Sequence, residues 1–232
     1  MRSLMRILIV ADSLGMPRKD LELEKVWTYR ISEFFLNKNN IIPFLIRGGT
    51  TNNLVESMGD YLNHFKPNCV IVQLGICDCV RRGIPQRYLR VIQAIPFLSK
   101  VVRKIAKKYH YFLTKIFENR YVEPVKFREN IVSFMQAASE KKVNVYFIRI
   151  ASPGNYLVRM TFNAEKDINA YNQILQNECA KYSNSKYLDP FAHKAVAEYI
   201  FEVDGHHINE LGNDLVFKIV KKEIQGLHKK KA

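Results

Sequence analysis

Five short apolar runs, rich in Ile, Val, Leu and aromatic residues, recur along the chain. Each is too short for a typical helix and has the length of a strand. Their apolar continuity, without alternating polar residues, is typical of strands covered on both faces in a parallel sheet. The predicted strands lie at residues 6–11, 41–46, 69–74, 143–150 and, more weakly, 186–188.

Between these runs, apolar residues recur with the three-to-four spacing of an amphipathic helix. The predicted helices cover residues 23–37, 53–65, 126–141, 165–182 and 208–225. Strands that alternate with helices predict right-handed crossovers and an α/β fold. We expect a three-layer α/β/α sandwich with a mainly parallel five-stranded sheet in flavodoxin-like order, formed as one domain over residues 1–232.

Charge is concentrated in residues 81–120, which interrupt this alternation. The whole chain of 232 residues has 36 Lys and Arg against 22 Asp and Glu, a net charge of +14. The interrupting segment holds eleven of the basic residues and a single acid, Glu118. The remainder, with 25 basic and 21 acidic side chains, is close to neutral. The charge therefore predicts an anionic partner for this inserted segment rather than for the whole domain.

Within the insertion, the pattern predicts a basic amphipathic helix over residues 97–118. Its apolar positions share an arc of about 80° at 100° per residue; they are Val101, Ile105, Tyr109, Phe112 and Ile116. The basic residues of the opposite side are Arg103, Lys104, Lys107, Lys108 and Lys115. Three partners stay open: its own domain or a twin subunit in a homodimer, an anionic membrane surface and, least favoured, nucleic acid.

The composition excludes several classes of protein. A hydrophobic fraction of 47% and a charged fraction of 25% exclude wholesale disorder. The first residues lack the features of a secretory signal, and no apolar run is long enough to span a membrane. The cysteines, Cys69, Cys77, Cys79 and Cys179, lack the spacing of a disulfide scaffold or a zinc site. We therefore expect a cytoplasmic, reduced protein without a metal or cofactor.

Candidate catalytic groups follow the predicted strands, because functional residues of open parallel sheets collect at the carboxyl ends of the strands. Ser13 follows the first strand, and Gly48 and Gly49 follow the second. Near the C-terminus, Asp204 and His207 lie three residues apart. A hydroxyl, a base, an orienting carboxylate and fixed N–H donors are the groups that nucleophilic acyl transfer needs.

These motifs resemble the sequence blocks of the GDSL or SGNH hydrolase family, over nearly the whole chain. Residues 11–14, Ala-Asp-Ser-Leu, are similar to the first block. Gly48 corresponds to the glycine of the second block, with Gly49 an almost equal candidate. Residues 75–78, Gly-Ile-Cys-Asp, lie where the family carries Gly-x-Asn-Asp, and residues 204–207, Asp-Gly-His-His, match the closing Asp-x-x-His.

The resemblance implies a role for each matching residue. Ser13 would be the nucleophile, His207 its general base, and Asp204 the carboxylate that orients the imidazole. The backbone N–H groups of Ser13 and Gly48 would form part of the oxyanion hole. Cys77 departs from the family, whose Asn supplies a side-chain amide to the oxyanion, because a thiol is a weak donor.

The departure leaves three interpretations. Asn52, Asn53 and Gln73 are candidates to replace the missing donor, the activity is weak, or the site has lost catalysis. For Asp78, next to Cys77, we favour a structural role.

The resemblance further implies a serine-dependent carbohydrate O-acyl esterase, for O-acetyl groups in particular, or an O-acyltransferase. Its substrate would be a bacterial surface polysaccharide or a precursor, such as a lipid-linked glycan at the inner membrane face, and an acyl-enzyme would form on Ser13. One alternative is a catalytically silent protein of this fold that binds glycan or scaffolds a membrane complex. A less favoured alternative is nucleic-acid binding through residues 81–120.

Overall fold

The computed structural model describes residues 4–85, 88, 102 and 104–229, and in this part of the chain five strands form a single sheet. The strands are β1 (Met5–Ala11), β2 (Asn39–Leu45), β3 (Cys69–Gln73), β4 (Asn144–Ile148) and β5 (Ser185–Leu188). Their order is β2-β1-β3-β4-β5, and every neighbouring pair is parallel. The predicted α/β fold with flavodoxin-like strand order is confirmed.

Helices connect the strands and follow β5. They are α1 (Trp27–Phe34), α2 (Thr51–Glu56), α3 (Ile76–Cys79), α4 (His110–Phe117), α5 (Pro124–Glu140), α6 (Asn155–Met160), α7 (Ala164–Cys179), α8 (Val196–Tyr199) and α9 (Glu210–Lys229). Two predicted helices are divided. A 3-10 turn at Leu23–Lys25 precedes α1, and a π-helical turn at Asp60–His64 follows α2, where Tyr61 and Leu62 are both buried.

Apolar side chains cover both faces of the sheet, as the continuous apolar runs predict. Along β1, Leu8 and Val10 belong to one core cluster, whereas Ile7 and Ile9 belong to the other, because successive side chains of a strand point to opposite faces. Residues of α2, α5 and α7 complete the first cluster, and residues of α1 and α9 complete the second. The result is the predicted three-layer α/β/α sandwich, with the carboxyl ends of all strands at one edge.

The basic insertion contains a helix that the structure describes from residue 104 onward. Residues 104–108 are helical, and the hydrogen-bond ladder continues into α4, since Tyr109 N donates to Ile105 O and Leu113 N donates to Tyr109 O, each at 2.9 Å. The start of the predicted helix, including Val101 and Arg103, lies outside the described residues. None of the helices in the described part of the chain is long and apolar enough to cross a bilayer.

The insertion is attached to the domain by polar contacts. Arg81 is buried, and its guanidinium contacts Asp167 at 2.6 Å and Glu118 at 2.8 Å. His110 Nδ1 lies 2.8 Å from the carbonyl oxygen of Met160. These contacts hold α4 against α6 and the start of α7.

Candidate active site

Ser13 and His207 meet at the carboxyl edge of the sheet although 194 residues separate them. Ser13 begins a 3-10 turn directly after β1, and its Oγ lies 3.0 Å from Nε2 of His207. His207 lies between α8 and α9, where its carbonyl accepts a hydrogen bond of 2.8 Å from Phe201 N. The structure therefore brings the predicted hydroxyl and base within hydrogen-bond distance.

Asp204 orients the ring of His207. Asp204 Oδ2 lies 3.0 Å from His207 Nδ1, and Oδ1 accepts backbone N–H bonds from His206 at 3.1 Å and His207 at 3.0 Å. Burial alone would raise the pKa of Asp204, but the hydrogen bonds from the ring of His207 and from these backbone groups outweigh burial and hold it well below the usual range. With Nδ1 donating to the carboxylate, Nε2 is left to accept the Ser13 proton.

Gly205 allows the turn that presents Asp204 and His207 to the same cleft. Its φ is +70°, and a Cβ built on it would lie 2.5 Å from Leu157 N. Gly154 N donates to Gly205 O at 2.7 Å, which seats the turn on the start of α6. A residue with a side chain would strain the backbone and collide with α6 at this position.

Arg18 is a neighbour of the triad that the sequence patterns do not reveal. Its Nη2 lies 2.8 Å from Asp204 Oδ2, the same oxygen that faces His207. Its guanidinium carbon lies 5.2 Å from the ring centroid of Phe201. Asp204 therefore divides its charge between an arginine and the imidazole.

The structure distinguishes the two glycines after β2 as candidate donors to a substrate oxygen. Gly49 N donates to Ile46 O at 2.8 Å, so this N–H closes a turn. Gly48 has φ of +73°, and no atom lies within 4 Å of a Cβ built there. Within the described part of the chain, Gly48 N has no backbone acceptor. Of the two, Gly48 has the N–H that faces no internal partner, as a donor to a substrate oxygen requires.

Comparisons with known proteins give structural matches alone: no family model matches the sequence, and neither does any curated protein. A lipase/acylhydrolase from Enterococcus faecalis has a TM-score of 0.67 at 16% identity, covering 96% of each chain. A GDSL-like lipase from Bacteroides thetaiotaomicron has a TM-score of 0.59 at 16% identity, covering 96% of this chain and 88% of that one. A mutant of an acetyl-xylooligosaccharide esterase from Geobacillus has a TM-score of 0.63 at 12% identity, covering 97% and 96%.

The chain has the GDSL/SGNH hydrolase fold. At these identities the matches establish the architecture, and the chemistry has to be argued from the residues themselves.

Cys77, at the third SGNH block, lies in α3 just past the end of β3. Its side chain is buried, and burial, aided by the nearby Asp12, raises the pKa of the thiol to about 12. The thiol is therefore protonated at neutral pH and is a weak hydrogen-bond donor. Residue 77 therefore supplies no amide where the sequence resemblance implies an Asn.

The carbonyl oxygens of the three amides that the sequence offered as substitutes accept structural hydrogen bonds. Asn52 Oδ1 accepts a hydrogen bond from Asn130 at 2.8 Å, and Asn53 Oδ1 accepts one from Thr50 N at 3.0 Å. Gln73 Oε1 accepts a hydrogen bond from the side chain of Trp27 at 2.7 Å. In the described part of the chain, no hydrogen bond joins any of these side chains to Ser13 or His207.

Asp78 connects α3 to the start of α2. Its Oδ1 accepts hydrogen bonds from the backbone N–H and the hydroxyl of Thr51, and Asn130 donates to that hydroxyl at 3.1 Å. Burial raises the pKa of Asp78 to about 6, although the bonds from Thr51 lower it. These contacts agree with the structural role expected for Asp78.

A cavity of about 390 Å³ adjoins the triad on the side of His206. Its lining includes Arg82 and Ile84 of the insertion, Tyr121, and Tyr156 of α6. Burial and the neighbouring His207 lower the pKa of His206, so its ring presents a mainly neutral edge to this cavity.

Asp204, His206 and His207 form the closest group of potential metal ligands in the described residues, with ligand atoms within 4.8 Å of one another. Their hydrogen bonds to one another, and the contact between His207 and Ser13, account for this closeness. His207 Nε2 serves Ser13 in this arrangement, so the geometry describes a proton-transfer chain rather than a metal cage.

Proposed function

We propose that the protein is a serine-dependent hydrolase of carboxylic esters that acts on O-acylated carbohydrate. The observation that carries the proposal is the continuous chain from Ser13 Oγ through His207 to Asp204, with both links at 3.0 Å. A hydroxyl, an imidazole and an ionised carboxylate in this order are the parts of nucleophilic acyl transfer.

The geometry implies the order of the steps. Ser13 Oγ attacks the ester carbonyl carbon while its proton moves to His207 Nε2, and the carbonyl electron pair moves onto oxygen. The tetrahedral intermediate collapses to an acyl-serine, and the departing alkoxide takes the proton from His207. Water, deprotonated by His207, then attacks the acyl carbon and releases the acid, which frees Ser13. A sugar hydroxyl in place of water would make the same site an O-acyltransferase.

The cavity beside the triad supports a carbohydrate as the alcohol part of the ester. The rings of Tyr121 and Tyr156 line it, and His206 adds a polar edge. Aromatic faces combined with a few polar groups are what a sugar ring requires of a pocket. A structural neighbour described as an acetyl-xylooligosaccharide esterase points to the same substrate class. A bacterial surface polysaccharide or its precursor is the substrate we propose.

The test is acetate release from acetylated xylooligosaccharides and hydrolysis of p-nitrophenyl acetate. We expect turnover by the wild type and a loss of about 10³-fold or more in Ser13→Ala. Ser183→Ala, which changes an exposed serine between α7 and β5, serves as the matched control and is expected to keep full activity. Equal turnover in wild type and Ser13→Ala would contradict the proposal.

The rival function is a catalytically silent protein that binds glycan. The buried thiol of Cys77 favours it, since the oxyanion then lacks a family donor. This function predicts binding of acetylated glycan by calorimetry, without acetate release, and an affinity that Ser13→Ala leaves unchanged.

A further inference from the structure

Arg82 lines the cavity beside the triad and is a neighbour of Cys77. β1 and β3 are neighbours, and Asp12 N donates to Gln73 O at 3.1 Å, so the residues that follow these two strands share one edge. Ser13 follows β1 there and Cys77 follows β3. Arg82 is near enough to Cys77 to act on the thiol, since its positive charge lowers the pKa that burial raises.

One contact holds the backbone of Arg82, and a second holds its side chain. Its backbone N–H donates to Asn119 O at 2.8 Å, and its guanidinium carbon lies 4.6 Å from the ring centroid of Tyr121. Arg82 also lines the cavity that Asp204 and His206 line. Arg82 therefore shares a cavity wall with Asp204 and His206, and its guanidinium lies against Tyr121.

The charge of Arg82 is not neutralised by a carboxylate. Its neighbour Arg81 contacts Asp167 and Glu118, whereas Arg82 forms no ion pair with any acid that the structure describes. Its Nε is buried and lacks a hydrogen-bond partner among the described residues. A buried donor on a permanent cation normally has a partner, so the unpartnered Nε points to an anion that binds during function.

We propose that Arg82 donates a hydrogen bond to the oxyanion that forms when Ser13 attacks the ester, in place of the family's amide. The inference rests on the proposed ester hydrolysis. A guanidinium has five N–H donors and a fixed charge, so it stabilises an oxygen that becomes negative better than the neutral thiol of Cys77 does. Arg82 donates the hydrogen bond without transferring a proton, because His207 takes up and returns every proton that moves in the reaction.

The test measures kcat and KM for p-nitrophenyl acetate. In Arg82→Ala we expect kcat to fall by about 10²–10³-fold, with KM within a few-fold of the wild type, because one oxyanion donor is lost. The double variant Arg82→Ala/Cys77→Asn should regain most of that loss, since the amide returns to the third block. Arg82→Lys keeps the positive charge but loses the planar set of N–H donors, so its kcat should lie between those of the wild type and Arg82→Ala. Arg159→Ala removes an exposed arginine of α6 and is the control expected to match the wild type.

The outcomes separate this inference from the proposed function. Full kcat in a folded Arg82→Ala, a defect confined to KM, or no recovery in the folded double variant would overturn the role of Arg82 while Ser13-dependent turnover stands. Wild-type protein without Ser13-dependent turnover would overturn both.

A second inference rests on a different observation, the outer face of α4 and residues 104–108. Four large apolar side chains recur there at helical spacing and share one stripe. Their exposed fractions are 52% for Ile105, 48% for Tyr109, 59% for Phe112 and 54% for Ile116. The described residues of the domain leave about half of each of these side chains exposed, and an exposed apolar stripe of this size marks an interaction surface.

The helix packs on the domain through another side. Ala106, His110, Leu113 and Thr114 are the least exposed residues of this stretch, and Phe162 N donates to Thr114 Oγ1 at 3.1 Å. Polar anchoring through His110 and Thr114 fixes the helix while its apolar stripe faces outward. The sequence left open whether the helix packs on its own domain. In the described part of the chain, the domain covers only one side of the helix.

Lysines border the stripe on the flank away from the packed side. At 100° per residue, Lys104, Lys108 and Lys115 fall between about 70° and 110° from the centre of the stripe. None of them forms an ion pair with an acid in the described residues. Apolar side chains bordered by long cationic ones are suited to a bilayer surface, where the rings enter the acyl boundary and the ammonium groups reach anionic headgroups.

We infer that this stripe and its lysine border dock on an anionic lipid surface. The charge complementarity decides between occupants, because a second copy of the chain would bring the same unpaired lysines to the interface and repel. Docking would hold the triad near membrane-bound glycan without contributing to its chemistry.

The test is flotation of the full chain with vesicles of phosphatidylcholine alone and of phosphatidylcholine with phosphatidylglycerol in equal parts. We expect binding to the anionic vesicles, weakened about ten-fold or more in Phe112→Ser/Ile116→Ser and about five-fold per lysine in Lys108→Ala/Lys115→Ala. Val125→Ser, which changes an exposed apolar residue of α5, should bind like the wild type. No flotation, equal flotation with neutral vesicles, or dimerisation through the stripe in sedimentation would overturn the inference.

Discussion

The triad loop and the outer face of α4 use charge in opposite ways. Around Asp204, each carboxylate oxygen is engaged, by Arg18, by the ring of His207 and by two backbone N–H groups. On residues 104–108 and α4, Lys104, Lys108 and Lys115 are exposed beside apolar side chains that are about half exposed. Charge in the first region positions catalytic groups, whereas charge in the second is available to a partner. The net charge of the chain therefore says little about its chemistry.

The largest expected effect comes from disturbing the first region. Asp204→Asn should lower kcat by about 10³–10⁴-fold with the fold intact, because the amide no longer fixes the ring tautomer of His207. Steady-state kinetics on p-nitrophenyl acetate measures it. Asp214→Asn removes a carboxylate that pairs with Arg30 and Lys218 on α9 and should leave kcat unchanged. Full kcat in both variants would contradict the claim that the carboxylate of Asp204 fixes the ring of His207.

The next largest effect is expected on stability, from Arg81, the buried arginine at the start of the insertion. Arg81 is 4% exposed, and Arg81→Ala would leave the buried Asp167 without its shortest ion pair. We expect the free energy of unfolding in urea to fall by about 3 kcal/mol or more. Arg128, whose side chain is 61% exposed and lies 3.6 Å from Glu178, is the control, and Arg128→Ala should cost about 1 kcal/mol or less. Similar losses in the two variants would contradict this contrast.

Asp12, beside the nucleophile, makes the stability of the site region depend on pH. Burial raises the pKa of Asp12 to about 7, although Leu14 N donates to its Oδ1. The folded state therefore holds a proton that the unfolded state loses near pH 4, and stability falls as pH rises from about 4 to 7. Asp12→Asn keeps the acceptor for Leu14 and should be stabilising by about 2 kcal/mol at alkaline pH but not at acid pH. Urea midpoints of both proteins across this range check it, and parallel pH curves would refute it.

The smallest effect is expected on the outer face of α4. Replacing Lys104, Lys108 and Lys115 by Ala should change the free energy of unfolding by about 0.5 kcal/mol or less per residue, because exposed charges without ion pairs add little. Turnover of a soluble ester should stay at the wild-type value. Thermal denaturation and the ester assay measure the two, and a large loss in either would place these lysines within the domain's own structure.

The fold and the triad were accessible from the sequence because their signals are local. Continuous apolar runs mark strands buried on both faces, and the chemistry-bearing residues follow those strands directly. Ser13, Asp204 and His207 are the residues that the structure brings together. The predicted helix after Asn53 was divided, since the π-helical turn at Asp60–His64 depends on how the helix meets the core.

Contacts made only in the folded chain were not accessible. Nothing in the local sequence relates Arg18 to Asp204, 186 residues away. Nor does it show that Arg81 has two acidic partners whereas Arg82 has none among the residues that the structure describes. The packed side of α4 was hidden for the same reason. From the sequence, His110 and Thr114 would be expected on the polar surface. Their hydrogen bonds with Met160 and Phe162 instead hold this side of the helix against the domain, so the apolar stripe faces outward.

The most direct measurement of the central claim is covalent capture of Ser13. A serine-directed fluorophosphonate should add one phosphonyl group to the wild-type chain, and peptide mass spectrometry should place it on Ser13. Labelling should be absent in Ser13→Ala and slowed in Asp204→Asn, because the hydroxyl reacts only when His207 takes its proton. Wild-type protein that stays unlabelled, or labels equally in Ser13→Ala, would contradict a serine nucleophile at this site.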